Sequence, residues 1–258
     1  MKLFNSFNKI VLVVEYDGRC YHGFQWQANL PTIQAELERA IQKVTGESGR
    51  VMAASRTDAG VHAKGQVVSF RTGSALSPYV FTRALNHYLP EDIAVKGACR
   101  VSPSFDVRRD ALSREYDYRV LNGSTRSPLD RGFTYLVTGE LNIEIMNEAC
   151  QFLKGEHDFV SFAASLGKIR STVRNVYESG VTRDGNLVTF HMVANSFLPH
   201  QVRNTIGLLI RVGLGKVRLE QIHQIMDAKT WGLAGPTAPP YGLCLTKVNY
   251  PSNLELLV

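Results

Sequence analysis

Two β-favouring runs, Val173–Thr182 and Leu187–Ala194, are separated by only Arg183-Asp184-Gly185-Asn186. Asp-Gly supplies the backbone freedom of a tight hairpin turn. So short a connection joins antiparallel neighbours, because parallel strands need a crossover of a dozen residues or more. The other segments fit the same pattern. Lys9–Tyr16, Ile93–Val101, Ser113–Leu121 and Gly242–Tyr250 read as strands. Pro31–Thr45 reads as a helix, since Ile33, Leu37, Ala40, Ile41 and Val44 recur at spacings of three and four, with Pro31 in the first turn and Gly46 at the end. Pro78–Leu89, Ile143–Leu153, Pro199–Leu214 and Leu219–Met226 also read as helices, and Val202, Ile206, Leu209, Ile210 and Gly213 mark the buried face of the fourth. Hairpin-joined strands set apart by single helices describe an α+β chain, not a regular parallel α/β sheet. The second half repeats a similar order, so two subdomains are expected, 1–105 and 106–258.

The 258 residues suffice for one large domain or two small ones. Cys20, Cys99, Cys150 and Cys244 are scattered, with no Cys-x-x-Cys pair, which suggests reduced thiols and neither a zinc ribbon nor a redox motif. The first apolar run, Ile10–Val14, is too short for a signal-peptide core or a membrane span. A cytoplasmic protein with no membrane association is expected. Net charge is +6. That excess permits a polyanionic partner without requiring one. Its distribution adds weight: Leu187–Leu219 contains Arg203, Arg211, Lys216 and Arg218 and no acid, and Gly167–Arg174 contains Lys168, Arg170 and Arg174 and no acid. Either stretch could equally be a solvated basic face. The histidines show no i,i+4 pair of the kind that holds zinc on a helix, so no metal is expected, and His62 reads as a residue that fixes its loop by hydrogen bonding.

The string Ala54-Ser55-Arg56-Thr57-Asp58-Ala59-Gly60-Val61-His62-Ala63 lies between the β-favouring Arg50–Ser55 and the strand-like Gln66–Arg71. Asp58 is thereby placed at a strand end, on a connection held by two paired strands, where catalytic groups tend to sit. An Asp near a Gly also serves as a plain turn former. Residue pattern alone leaves both readings open.

This string resembles the catalytic motif of the tRNA pseudouridine synthase A family, Arg-Thr-Asp-x-Gly-Val-His-Ala. Other segments resemble the same family in the same order: Tyr16-Asp17-Gly18 with Gln25-Trp26-Gln27, Phe105-Asp106-Val107-Arg108, Tyr116-Asp117-Tyr118, His157-Asp158-Phe159, Phe197 to Asn204, and Pro239 to Leu243. Ser55 stands where the family usually has Gly, and Gln201 where it has Met; Ile169 and Thr172 also depart from its common residues. The resemblance implies two similar α/β subdomains with mainly antiparallel sheets and an active-site cleft between them. It implies isomerisation of uridine to pseudouridine in the tRNA anticodon stem-loop, at positions 38, 39 and 40, by a homodimer that needs no cofactor. Asp58 would be the nucleophile or base, Arg203 its cationic partner, and Tyr116 a ring that stacks on the uracil. Arg56 would assist flipping of the base. Phe105, Asp106, Arg108, Lys168, Arg170 and Leu243 would be further substrate-binding residues.

Without the resemblance, Arg203 reads as a helix-face Arg reaching solvent, and alternation with Tyr118 would bury one of the two tyrosines. Two other functions fit parts of the chain. A non-catalytic RNA-binding or RNA-chaperone module explains the basic stretches but does not need Asp58, Tyr116 and Arg203 together. A carboxylate hydrolase unrelated to RNA lacks an obvious second carboxylate to pair with Asp58.

Overall fold

The computed structural model describes residues 8–165, 167 and 169–251. The chain divides into two units, one holding the residues up to Leu112 together with those from Leu245 onward, the other Ser113–Cys244. The sequence places the division at 105/106 and keeps the C-terminus with the second half. The last strand joins the first unit instead, because unit membership follows contacts and not order along the chain.

In the first unit, β1 (Asn8–Tyr16), α1 (Ile33–Thr45), β2 (Met52–Ala53), β3 (His62–Thr72), α2 (Pro78–Tyr88) and β4 (Ile93–Val101) follow in order. β1 is central and pairs antiparallel with β3 and β4. Its run Ile10–Val14 is buried without alternation, as expected of a strand covered on both faces. The register shifts twice near its C-terminal end, around Val14 and before Tyr16. Such bulges re-aim the side chains beyond them. Helix α1 buries Ile33, Leu37, Ala40 and Ile41, is capped by Thr32 accepting from the Ala35 N–H, and ends at Gly46 with φ 73°. Pro31 therefore precedes the cap and is not in the first turn; its carbonyl accepts the His22 N–H. Strand β2 is shorter than the expected Arg50–Ser55. The chain leaves the ladder at Ser55, whose N–H and C=O are both taken by the side-chain amide of Gln66.

The second unit contains β5 (Ser113–Asn122), β6 (Tyr135–Val137), α3 (Ile143–Phe152), β7 (Gly155–Asp158), β8 (Val173–Asp184), β9 (Leu187–Ala194), α4 (Gln201–Gly213) and α5 (Leu219–Asp227). Its strands run in the order β5-β9-β8-β7, all antiparallel, with β6 parallel to the end of β5. The hairpin turn falls at Gly185-Asn186, with Gly185 at φ 55°, so Arg183 and Asp184 extend β8 and do not belong to the connection. Neither β6, three residues long, nor β7, the polar Gly-Glu-His-Asp, carries the apolar alternation that would reveal a strand. Helix α4 is buried on nearly every side, not along one face, and only Arg203 and Arg211 are partly exposed. It packs on α3 and receives the segment Pro236–Ala238 against its other side. Strand β10 (Leu243–Asn249) returns to the first unit from Leu245, beside β3. There Gly65 allows close approach, since a β-carbon on it would lie 2.5 Å from the Thr246 carbonyl oxygen.

Candidate active site

Asp58 lies on the connection between β2 and β3, and its backbone is held from three directions. Val61 N–H donates to the Asp58 carbonyl at 3.1 Å, closing a turn whose third residue, Gly60, has φ 78°. That is the position of a type II turn that requires positive φ. Phe24 N–H donates to the Thr57 carbonyl at 3.0 Å, and Gly60 N–H to the Tyr21 carbonyl at 3.3 Å. Beneath the turn, the buried Thr57 hydroxyl pairs with the Tyr16 hydroxyl at 2.7 Å, and Gln66 Nε2 donates to the same phenol at 3.3 Å. Thr57 is buried while Asp58 is partly exposed. The hydrogen bonds thus fix where the carboxylate is presented.

The loop after β1 clamps this turn through two glycines. A β-carbon on Gly18 would lie 2.0 Å from the Val61 carbonyl oxygen, and one on Gly23, at φ 89°, 2.8 Å from the Thr57 carbonyl oxygen. Gly18 N–H donates to Nδ1 of the buried His62 at 3.2 Å. Nδ1 is then the unprotonated nitrogen, and the Asp17 carboxylate, also 3.2 Å from it, becomes an ionic partner only when the ring gains a proton. His62 fixes the loop, as its place in the string suggests. Burial works to raise the Asp17 carboxyl, but hydrogen bonds from the side chain and backbone of Arg19, with the positive charges of a protonated His62 and of Arg19, outweigh it and hold Asp17 below its ordinary value.

In the second unit, Tyr116 on β5 is 6% exposed, and its ring meets Phe197 edge-on at a centroid distance of 5.3 Å. Residues two apart on a strand share a face. Tyr118 is accordingly buried as well, so alternation does not separate the pair. Tyr118 donates to the Pro239 carbonyl at 2.9 Å, and burial pushes its phenol well above the ordinary range. Arg203, in the first turn of α4, donates through Nε to the Ala238 carbonyl at 2.8 Å, while Ala238 N–H donates to the Arg203 carbonyl at 3.1 Å. The guanidinium is thereby pinned and does not simply trail into solvent. Leu243 is buried at the start of β10.

The other expected binding residues divide by exposure. Arg56, Arg108 and Arg170 are exposed. Phe105 is 4% exposed and packs on Tyr250 at 5.3 Å, and its carbonyl accepts the Lys9 ammonium. The Asp106 carboxylate accepts the N–H groups of Arg108 and Arg109, both at 2.9 Å, and these bonds, that to Arg109 first, hold it below its ordinary value. Phe105 and Asp106 therefore shape their loop from within. Lys168 lies outside the described residues. Among the described residues, no helix is long and apolar enough to cross a membrane. Tyr16, Gln66, Gly18 and Gly23 are supports that sequence reasoning gave no role at the site. Positive φ at Gly23 and buried partners tens of residues away leave no local signal.

The family model described as tRNA pseudouridine synthase matches residues 12–110 and 149–251. A tRNA pseudouridine synthase A of Shewanella sediminis (strain HAW-EB3) is 43% identical over 248 residues, 96% of this chain and 95% of its own length. That of Thermoanaerobacter sp. (strain X514) is 42% identical over 241 residues, 93% and 99% of the two chains. That of Legionella pneumophila (strain Lens) is 41% identical over 249 residues, 96% and 95%. The family model covers the Asp58 turn and α4 and leaves β5 between its two matched ranges, and with identity to the relatives sustained over nearly the whole of each partner, this chain belongs to the tRNA pseudouridine synthase family.

Proposed function

We propose that this chain isomerises uridine to pseudouridine in tRNA, at positions 38, 39 and 40 of the anticodon stem-loop, and works as a homodimer in the cytoplasm. Family membership supports the reaction, and the observation that carries its assignment to Asp58 is the braced turn on which that carboxylate sits. In the reaction the N1–C1′ bond breaks, the uracil turns, C5 bonds to C1′, and the C5 hydrogen leaves as a proton while N1 takes one up. Atoms and electrons balance without a redox agent. An ionised Asp58 adds to C1′, or stabilises and deprotonates the oxocarbenium-like ribose. Arg203 is its cationic partner, since an opposite charge keeps a carboxylate ionised and directs it. Tyr116 offers its ring to the uracil.

A uridine stacked in a stem-loop must leave the stack, at a cost of a few kcal/mol. Exposed Arg56, two residues before Asp58, fills the vacated space. Arg108, Lys168 and Arg170 contact phosphate, while Phe105, Asp106 and Leu243 hold the surfaces that meet the substrate. Four cysteines outside any disulfide suit the reducing cytoplasm. The non-catalytic RNA-binding reading is not favoured, because the relatives bear the name of synthases.

Mapping pseudouridine by carbodiimide labelling and primer extension, on unmodified tRNA incubated with the protein, tests the target. Stops confined to positions 38–40 are expected. Stops elsewhere would overturn the stem-loop assignment while leaving the isomerase in place. Sedimentation equilibrium tests the dimer, and a monomer at micromolar concentration would overturn it.

A further inference from the structure

Near the Asp58 turn, on the loop that clamps it, an indole ring is exposed. Trp26 is 45% exposed. Its backbone is fixed: the Trp26 main-chain N–H donates to Gln34 Oε1 on α1 at 2.9 Å, and two residues earlier the Phe24 N–H donates to the Thr57 carbonyl. Gly23 lies against the Asp58 backbone itself, with the Asp58 carbonyl carbon 3.3 Å from where its β-carbon would be. Three residues of chain span at most about 11 Å, so Trp26 is held within a nucleotide or two of the candidate catalytic turn. Arg50 reaches the same ring from the segment leading into β2, its guanidinium carbon 5.0 Å from the ring centroid, and its Nη1 lies 3.5 Å from Glu38 Oε2. The guanidinium is thus oriented over the indole before any ligand arrives.

An exposed indole with a guanidinium held over the ring has the chemistry of a nucleotide site. Aromatic faces receive bases of any sequence, and the adjacent positive charge neutralises the phosphate. Extrusion of one base also leaves its neighbour without a stacking partner. We infer that Trp26, with Arg50, forms a stacking platform for a nucleotide next to the flipped uridine. The inference rests on the tRNA substrate proposed above and deepens it. It assigns a positioning role to Trp26, not a part in the bond-making steps.

The test uses fluorescence and kinetics together. The chain has two tryptophans, Trp26 and Trp231, so Trp231→Phe leaves Trp26 as the single indole. In an Asp58→Asn, Trp231→Phe background, titration with unmodified tRNA is expected to quench Trp26 emission saturably. Trp26→Ala is expected to weaken tRNA binding about tenfold, with the loss appearing in KM more than in kcat. Trp26→Phe keeps a ring and is expected to restore most of the affinity. Arg50→Ala is expected to lower the slope of log affinity against log salt by about one. A thermal melt of each variant separates loss of contact from loss of fold, and a Trp26→Phe protein that folds as wild type but binds like Trp26→Ala would overturn the stacking role. Unchanged Trp26 emission at saturating tRNA, in a protein whose wild type releases tritium from C5-labelled tRNA, would overturn the platform and leave the isomerase standing. Absence of tritium release from wild type would remove the isomerase reading and this inference with it.

Discussion

Gly18 and Gly23 set the distance between the N-terminal loop and the Asp58 turn. A methyl group on Gly18 would overlap the Val61 carbonyl, and one on Gly23 would meet the Thr57 carbonyl in a backbone conformation that L side chains rarely adopt. Gly18→Ala and Gly23→Ala are each expected to destabilise the protein by about 1–3 kcal/mol, through overpacking and, at Gly23, left-handed strain. Urea unfolding measures that loss, and displacement of the turn is expected to lower kcat in the same variants. Wild-type stability and turnover in both would show that the turn tolerates a shifted clamp. At this scale the sequence is legible only where function is contiguous. Arg56, Thr57, Asp58, Gly60 and His62 stand in one string, so one resemblance reveals them together. The bonds that brace the string join Tyr16 to Thr57 and Gln66 to Tyr16 across 41 and 50 residues, and no local pattern encodes such a pairing. Phe105 and Asp106 show the converse limit. The motif names them, but burial and backbone bonding, which decide how they contribute, exist only in the fold.

Helix α4 works as an element because its neighbours approach closely. A β-carbon on Gly207 would lie 1.9 Å from the Pro236 carbonyl oxygen, and the same segment supplies the Ala238 carbonyl that holds Arg203. Gly207→Ala is expected to push that segment outward and lower kcat about ten- to a hundredfold, as small displacements of positioning groups do; steady-state kinetics on tRNA measures it. Asn204 ties the helix to both sides, donating to the Phe162 carbonyl at 2.7 Å and accepting from the Thr237 hydroxyl at 2.5 Å. Asn204→Leu is expected to cost about 1–3 kcal/mol in urea unfolding, because the buried Phe162 carbonyl loses its partner. On the outer side of the second unit's sheet, His191 and Asp117 face each other across β9 and β5 with Nδ1 and Oδ1 2.7 Å apart. The Asp117 hydrogen bond raises the His191 pKa above its ordinary value, against burial, which lowers it. Stability from this pair is therefore fully present below about pH 6.5, the unfolded value, and is lost as pH rises through the folded one. With both side chains more than a third exposed, solvent screening leaves roughly 0.5 kcal/mol. Unfolding followed from about pH 6 to 8 is expected to show that loss in wild type and not in His191→Gln. Most elements were legible from period and punctuation. The all-round burial of α4 is not legible in the sequence, because apolar spacing shows one face while Gly207, Asn204 and Thr205 are buried by packing and hydrogen bonding. β6 and β7 were hidden by brevity and polarity.

For the molecule as a whole, a net charge of +6 suits an RNA substrate. Affinity for tRNA is expected to fall linearly on a plot of log affinity against log salt, as phosphate contacts release counterions. A flat plot from about 50 to 200 mM salt would speak against a polyanionic substrate. The α+β class was legible because hairpin turns and helix punctuation are local. That the final strand rejoins the first unit was not, since pairing between β3 and β10 depends on long-range contacts. The most direct measurement is tritium release from C5-labelled uridine in unmodified tRNA, with wild type and Asp58→Asn side by side. C5 loses its hydrogen when it becomes the glycosidic carbon. Release by wild type and none above background by a folded, tRNA-binding Asp58→Asn is the expected result. Equal release by both proteins would contradict the role of Asp58, and no release by wild type from tRNA that it demonstrably binds would contradict the isomerase itself.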